Sequence, residues 1–348
     1  MAARASSGPA SRLRVTAHDK RGPEGTGMFV VTADSANDLY TAVCRGVLEQ
    51  GRRAAPRGMA TTEVLDAHLK LTQPRRRFVS VPPARVLNPA FAVAEALWIL
   101  SGSDDPWIFT YNRRLEQYTD EGRLQGAYGP RMRRWQGAVD QLDHVRRLLG
   151  ADPDSRQAVI QLYDPQRDTA GHRDVPCTLN YRFFVRRGRL DMHTTMRSND
   201  VWLGLPYDLF TATMLHELMA DWLGAELGTY HHHVDSLHLY AQHDDAAAEV
   251  AASVAMPSPT MAALSAPIDR LTEFLTAVVT GGLCTDAGAP WREMAAVLAS
   301  YRRWTAEDRP TARALAADID GDLGEALRGW YAHLIRTAEL AALTTGGA

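Results

Sequence analysis

The stretch TLNYRFFVRRGRLDMHTTMRSND, residues 178–200, constrains the fold more than any other. Two runs of alternating apolar and polar side chains flank the turn RRGR. A period of two marks a half-buried strand, and a short glycine-bearing break between two such runs marks a hairpin. An isolated hairpin is marginal in water, so its apolar face needs cover. DLFTATMLHELMADWLGAELG reads as a long amphipathic helix with a glycine stop. NPAFAVAEALWILSG reads as a second helix between an Asn-Pro start and a Ser-Gly end. SANDLYTAVCRGVLEQG, opened by a serine cap, and GAVDQLDHVRRLLG are also helical. MFVVTA, RFVSVPP, DSRQAVIQLYD and TYHHHVDSLHLYAQH read as strands. RRAAPRGMATTEV has turn and loop character, and GAYGPRMRRW is a glycine-punctuated loop. The class expected is α+β, a mixed sheet core with helices packed on it.

With 348 residues, 45% hydrophobic and 23% charged, the chain can bury a sizeable core. A net charge of -3 argues against a nucleic-acid binder. Cys44, Cys177 and Cys284 are odd in number and far apart, with no zinc or disulfide spacing, so a reducing, cytoplasmic setting is expected. No apolar run reaches the ~18 residues of a membrane helix. MAARASSGPASRLRV lacks the apolar centre of a secretory signal, and residues 1–27 read as a flexible tail. The expected core spans residues 28–243. From about residue 244 the sequence is Ala-rich, with helical stretches broken by MPSP, GGLCTDAGAP and EDRP, and reads as a helical extension packed on that core.

Cys177, in DVPCTLNYRFFV, opens the hairpin. In isolation a cysteine between proline and threonine reads most simply as a small buried hydrophobe. A nucleophilic thiolate needs a nearby positive charge. Pairing of the hairpin strands brings Arg197 of MRSND close, where its guanidinium is expected to lower the thiol pKa. The adjacent His231, His232 and His233 alternate across a strand and cannot all reach one ion, so no metal site is expected.

Read together, AEALWILSG, GAYGPR, DPDSRQAVIQLYD, PCTLNYRFFV, RSNDVWLGLPYDL and SLHLYAQH resemble, in order and spacing, the blocks of the thymidylate synthase family, over roughly residues 37–243. The resemblance implies a pyrimidine nucleoside monophosphate substrate, 5,10-methylenetetrahydrofolate as co-substrate, and Cys177 as the nucleophile that adds to C6 of the base. By position it implies phosphate contacts from Arg57, Arg156, Arg197 and Ser198. It implies a homodimer in which Arg156 reaches the neighbouring site. His238 and Tyr240 match the pair that holds the sugar hydroxyl. Glu95 and Tyr128 match the acid/base and ordered-water positions, and Asp200 a folate contact.

Five departures refine the expectation. Asp208 stands where the synthases carry a base-reading asparagine. A carboxylate accepts from the N4 amine of cytosine but opposes uracil O4, acceptor to acceptor. Thr178 replaces a histidine after the nucleophile, and Gln157 replaces a second arginine. The tryptophans of the folate wall are not evident, with Gln117 and Tyr118 near one such place, so a more polar wall that admits water is expected. The C-terminus lacks the short apolar closing segment, and the extra helices are candidates to cover the site instead. These departures point to 5-hydroxymethylation of dCMP or CMP. The alternatives are a thymidylate synthase methylating dUMP, a cytidylate methyltransferase, and a non-catalytic dimeric nucleotide- or RNA-binding module.

Overall fold

The computed structural model describes residues 27–254, 256–283 and 287–345; the expected N-terminal tail, up to residue 26, and Cys284 lie outside the described residues. In chain order the first elements are β1 (Phe29–Ala33), α1 (Ala36–Gln50), β2 (Arg52–Ala54) and β3 (Thr61–Leu71). Next come α2 (Pro89–Leu100), α3 (Tyr128–Arg133), α4 (Gln141–Ala151), β4 (Val159–Gln161) and α5 (Pro165–Asp168). The hairpin strands β5 (Thr178–Arg186) and β6 (Arg189–Met196) precede β7 (Asn199–Asp200), α6 (Leu205–Trp222) and β8 (Glu226–Tyr240). Helices α7 (Asp244–Ala252), α8 (Leu271–Thr280), α9 (Ala289–Thr305), α10 (Arg309–Ala317) and α11 (Asp322–Thr345) complete the chain.

The strands form one mixed sheet in the order β1-β3-β8-β6-β5-β4, with β2 added to β3 and β7 to β8. The fold is therefore α+β, built on an open sheet. The central β8 pairs antiparallel with β3 and parallel with β6. The RRGR turn carries Arg187 and Gly188 at φ 54° and 73°, the left-handed pair that matches the twist of a two-residue hairpin.

Four sequence expectations are corrected. TTEVLDAHLKL, partly assigned to a loop, is the eleven-residue strand β3. RFVSVPP, expected as a strand, forms only an isolated bridge between Val81 and Arg85. Its apolar residues are buried, but against helices rather than beside a neighbouring strand; burial mimics a strand in composition without supplying ladder partners. GAYGPR contains the short helix α3 rather than only loop, and α4 starts at Gln141, after a turn.

One face of the sheet is sealed by α1, α2 and α6. Ser35 caps α1 by accepting from Asp38 N–H at 3.2 Å, and Asn88 caps α2 by accepting from Ala90 and Phe91 N–H at 3.0 and 3.2 Å. Along β8, buried positions are even-numbered up to Val234 and odd-numbered from Leu237. The change falls at Asp235, opposite Asp66, whose φ of 55° lies in the left-handed region. The other face bears His68, His193, His231 and His233, with stacked rings: His193 and His231 lie 4.2 Å apart, His68 and His233 4.0 Å. His232, between two of them in sequence, points to the sealed face.

Carboxylate–arginine pairs lock the layers. Arg131 of α3 meets Asp168 of α5 through two hydrogen bonds of 2.7 and 2.6 Å, both groups fully buried. Glu217 of α6 binds Arg75 at 2.7 Å and Arg77, and accepts from Leu264 N–H at 3.2 Å. The segment after α7 is thereby tied to α6. No helix among the described residues is long and apolar enough to cross a membrane.

Candidate active site

The sealed face of the sheet opens into a cleft with about 150 Å³ of space for solvent. Tyr181, Thr194, Met196 and Tyr230 from β5, β6 and β8 form its floor, Glu95, Trp98 and Ile99 from α2 one side, Asp208, Thr211 and Ala212 from α6 another. Ile108, Leu115, Tyr118 and Leu124 close the far wall, and Gly126, Tyr128, Asp174 and Thr178 the near one.

Cys177 ends the loop that enters β5, next to Asp174 and Thr178 of the cleft lining. Its carbonyl accepts from Arg197 N–H at 2.9 Å. The Arg197 guanidinium folds back over the same loop, donating from Nε to Pro176 O and from Nη2 to Val175 O, both at 2.9 Å. The hairpin thus brings Arg197 to the cysteine as its register dictates. The expected fall in thiol pKa does not follow. Burial dominates and pushes the thiol up; Arg197 and, more weakly, Arg57 oppose it, while Asp208 and Asp174 add to the rise. A cation that remains exposed and solvated offsets only part of the cost of burying a thiolate. The other described thiol, Cys44, is deep in the core and pushed up to about 12, mainly by burial.

Glu95 is the one charged residue of α2 (PAFAVAEALWIL), and the only residue of that helix that is not buried. Desolvation, then the charge of Asp208, lift its carboxyl to about 8. Asp208, in the first turn of α6, is lifted to about 7 by burial, held down in part by a hydrogen bond and raised again by Asp200. Two carboxylates facing one poorly hydrated space disfavour a second negative charge, so near neutrality the site retains a proton that it can move. The hydrogen bond is donated by Asn199 Nδ2 to Asp208 Oδ2 at 2.7 Å. Glycine is needed beside it: a Cβ on Gly204 would stand 2.8 Å from Asn199 Nδ2 and 3.1 Å from Asp208 Oδ2. Tyr128, held by the Arg131–Asp168 staple of its helix, accepts from Thr178 N–H through its hydroxyl at 3.1 Å.

His238 and Tyr240 share one side of β8 and touch edge to face at 5.2 Å; His238 Nδ1 lies 3.4 Å from Ser198 Oγ. Arg197, Ser198, His238 and Tyr240 therefore form a polar group at the end of the hairpin. Arg57 sits on the exposed loop between β2 and β3 with φ 53°. Asp200 accepts from Trp202 and Leu203 N–H at 2.7 and 3.0 Å through Oδ1, capping the turn into α6. Arg156 and Gln157 are exposed before β4, apart from the cleft lining.

The far wall corrects one expectation. It is largely apolar, and Trp98 supplies an indole from α2; Gln117 instead donates to Arg114 O at 2.9 Å. The extra C-terminal helices do not line the cleft, whose lining residues lie between Glu95 and Tyr230. They back its wall. Tyr301 of α9 stacks on Tyr111 at 5.8 Å, and Arg302 donates to the Tyr111 hydroxyl at 2.9 Å and to Val279 O at 2.6 Å. Asn199 and His232 were not singled out from sequence. The signals available were the strand alternation, which turns the middle of HHH inward, and the position of Asn199 beside Asp200.

The chain matches the thymidylate synthase family over residues 38–278. It is similar to a deoxyuridylate hydroxymethyltransferase of Bacillus phage SP01, with 36% identity over 237 residues, 64% of this chain and 61% of the relative. A protein of the same description from Delftia phage PhiW-14 is 31% identical over 222 residues, 60% of this chain and 59% of the relative. A third, from Pseudomonas phage M6, is 32% identical over 195 residues, 53% of this chain and 55% of the relative. The matched part of the chain thus spans less than two thirds of the length of each of these relatives.

Proposed function

This chain belongs to the thymidylate synthase family, and from that premise we propose that it hydroxymethylates C5 of a cytidylate, with dCMP preferred to CMP. The observation that carries the base choice is Asp208, a partly desolvated carboxylate fixed by Asn199 at the end of the cleft. Facing cytosine, its free oxygen accepts from the N4 amine. Facing uracil, an ionised Asp208 meets O4, and a buried polar mismatch of that kind costs about 1–3 kcal/mol.

The cleft fits a reduced folate: the shelf of Trp98, Ile108, Leu115 and Tyr118 beside Glu95 offers flat apolar surface next to an acid. Bound there, 5,10-methylenetetrahydrofolate supplies a one-carbon unit at the oxidation level of formaldehyde. In this reading Cys177 adds its sulfur to C6 of the base, and the electron pair passes to C5, which can then attack the one-carbon unit. Arg197, with Arg57 and Ser198, holds the phosphate, by charge-assisted bonds suited to guanidinium. His238 and Tyr240 hold the sugar. Glu95 relays protons at the base and to the leaving amine, with the Tyr128 hydroxyl ordering water near the thiol. Loss of the C5 proton and departure of tetrahydrofolate leave a methylene on C5; water adds to it and the Cys177 sulfur leaves. The names of the three phage relatives support capture by water rather than hydride. The polarity of the wall does not, since the wall is apolar.

Those names also support a second reading, in which the base is uracil. Asp208 is compatible with it in its protonated form, which can donate to O4. Incubation with dCMP, CMP, dUMP or UMP and 5,10-methylenetetrahydrofolate, with product masses read, separates the two. The expected product is the 5-hydroxymethyl cytidylate, with tetrahydrofolate released. Turnover of dUMP with dCMP inert would sink the cytosine reading, and dihydrofolate among the products would sink water capture.

The acting unit in this reading is a homodimer. A second copy covers the open, histidine-bearing face of the sheet, and Arg156 from each copy completes the phosphate site of the other.

A further inference from the structure

We propose that His232 is a positioning residue for base selection: as a neutral imidazole it holds the Asn199 amide so that Asp208 is kept an acceptor. This rests on the assignment of Asp208 as the base reader and adds the machinery behind it.

The side chains form a continuous chain behind the cleft. Asp208 Oδ2 accepts from Asn199 Nδ2 at 2.7 Å, and Asn199 Oδ1 lies 2.9 Å from His232 Nε2. His232 Nδ1 lies 2.8 Å from the Tyr230 hydroxyl, which is itself anchored on Thr194 Oγ1 at 2.8 Å. Asn199 and His232 are buried and do not line the cleft, so water does not readily substitute for a partner lost between them.

Hydrogen-bond inventory fixes the polarity. An amide oxygen only accepts, so His232 carries its proton on Nε2. Its Nδ1 is then an acceptor that shares the single Tyr230 O–H proton with Thr194 Oγ1, a three-centre arrangement with both acceptors at 2.8 Å. With its oxygen claimed by His232, Asn199 has only N–H to offer Asp208. That occupies one acceptor site of Oδ2, favours the ionised carboxylate, and leaves the other oxygen for the base. Burial holds the imidazole neutral, depressing it to about 3. Without His232 the amide is free to flip, and its oxygen then faces the carboxylate. Asp208 answers by taking a proton, and a protonated Asp208 no longer excludes uracil O4. Glu95, Asp200, Tyr128, Tyr181, Tyr230 and Cys177 are the other titratable groups around Asp208, and none of them contributes a competing cation.

The test uses the full chain and two readouts. In ligand-free protein, the carbonyl stretch of protonated carboxyl groups is followed by infrared difference spectroscopy against pH, with the Asp208 band identified by its loss in Asp208→Asn. His232→Phe is expected to move the midpoint of that band to higher pH, and His232→Gln, which retains a donor, to leave it near the wild-type value. In turnover, His232→Phe is expected to lower the dCMP:dUMP ratio of kcat/KM about tenfold or more, with the acid limb of the dCMP profile displaced upward. Asn199→Ala should reproduce both effects, and combining it with His232→Phe should add little. Should His232→Phe not fold, Asn199→Ala carries the same comparison. An unchanged infrared midpoint in folded His232→Phe or Asn199→Ala overturns the relay. Equal loss of activity on both nucleotides also overturns it, as the mark of a merely structural role. If Asp208→Asn itself leaves base preference unchanged, the base-reader assignment fails instead, and the infrared result still judges the relay.

Discussion

Cys177 has its arginine and yet is not a low-pKa thiol. Arg197 spends its guanidinium on the carbonyls of Val175 and Pro176, shaping the loop, and the thiol is left with burial as its dominant influence. A thiol raised by burial is protonated at neutral pH and becomes reactive as pH rises. Alkylation of the folded, ligand-free protein by iodoacetamide, followed by peptide mass, should label Cys177 slowly at pH 7, with a midpoint above the ordinary thiol range. Arg197→Met removes the strongest cation acting on it and should move that midpoint higher still. Cys44, buried and pushed up to about 12, should stay unlabelled until unfolding. A midpoint at or below the ordinary thiol value would refute this account. The hairpin register made the Cys177–Arg197 approach legible in the sequence, because a two-residue turn fixes which residues face each other. The sign of the thiol shift was not legible. It depends on how much water the folded loop excludes, and no spacing of residues encodes that. The same holds for Glu95: its solitary charge on an apolar helix was plain, but not its nearness to Asp208.

Among the elements, α9 has the least obvious purpose, since it supplies no residue to the cleft lining. It acts through Tyr111, which ends the 3-10 segment Pro106–Thr110 and precedes the segment Arg113–Tyr118; between them these supply Ile108, Leu115 and Tyr118 to the wall. Tyr118 is 46% exposed, so the wall meets solvent and needs support from behind. Removing the Arg302 hydrogen bonds costs about 1–2 kcal/mol of local order. Arg302→Ala should therefore raise the KM for 5,10-methylenetetrahydrofolate about five- to tenfold while the KM for nucleotide changes less than twofold. Steady-state kinetics with each substrate varied in turn decides this; parallel rises in both would mean that α9 supports the fold in general. Strands and helices with a clean period were legible in advance. The failures were β3, disguised by turn-forming residues before it, and RFVSVPP, where burial without a neighbouring strand imitated a strand.

At the scale of the molecule, the unsealed sheet face is the main unfinished surface. Its imidazoles are held neutral by desolvation and by one another: His193 and His233 are depressed to about 4 and His231 to about 3, with Lys70 and Arg182 adding positive charge. A face of uncharged stacked rings can be covered by a second copy with Lys70 and Arg182 as the main charges left to pair. Residue Arg156, outside its own cleft, then has a site to serve. Mixing Arg156→Ala chains with Cys177→Ala chains after mild dissociation should restore about a quarter of wild-type activity, since half the reassembled pairs carry one intact site. No recovery, in pairs shown to exchange subunits by native mass spectrometry, would place Arg156 outside the neighbouring site. The extension beyond residue 243 was legible as helical. How it packs was not, because an apolar face on a helix shows that it is covered but not by which element.

The change of buried side at Asp235 has a consequence for how such an enzyme can diversify. His232, behind the base, precedes the change, and His238 and Tyr240, assigned to the sugar, follow it. In the proposed reading, one strand serves two parts of a nucleotide from positions on either side of that change. Substitutions that retune ribose against deoxyribose need not disturb the choice between cytosine and uracil. A lineage can move along one axis of substrate choice while standing still on the other.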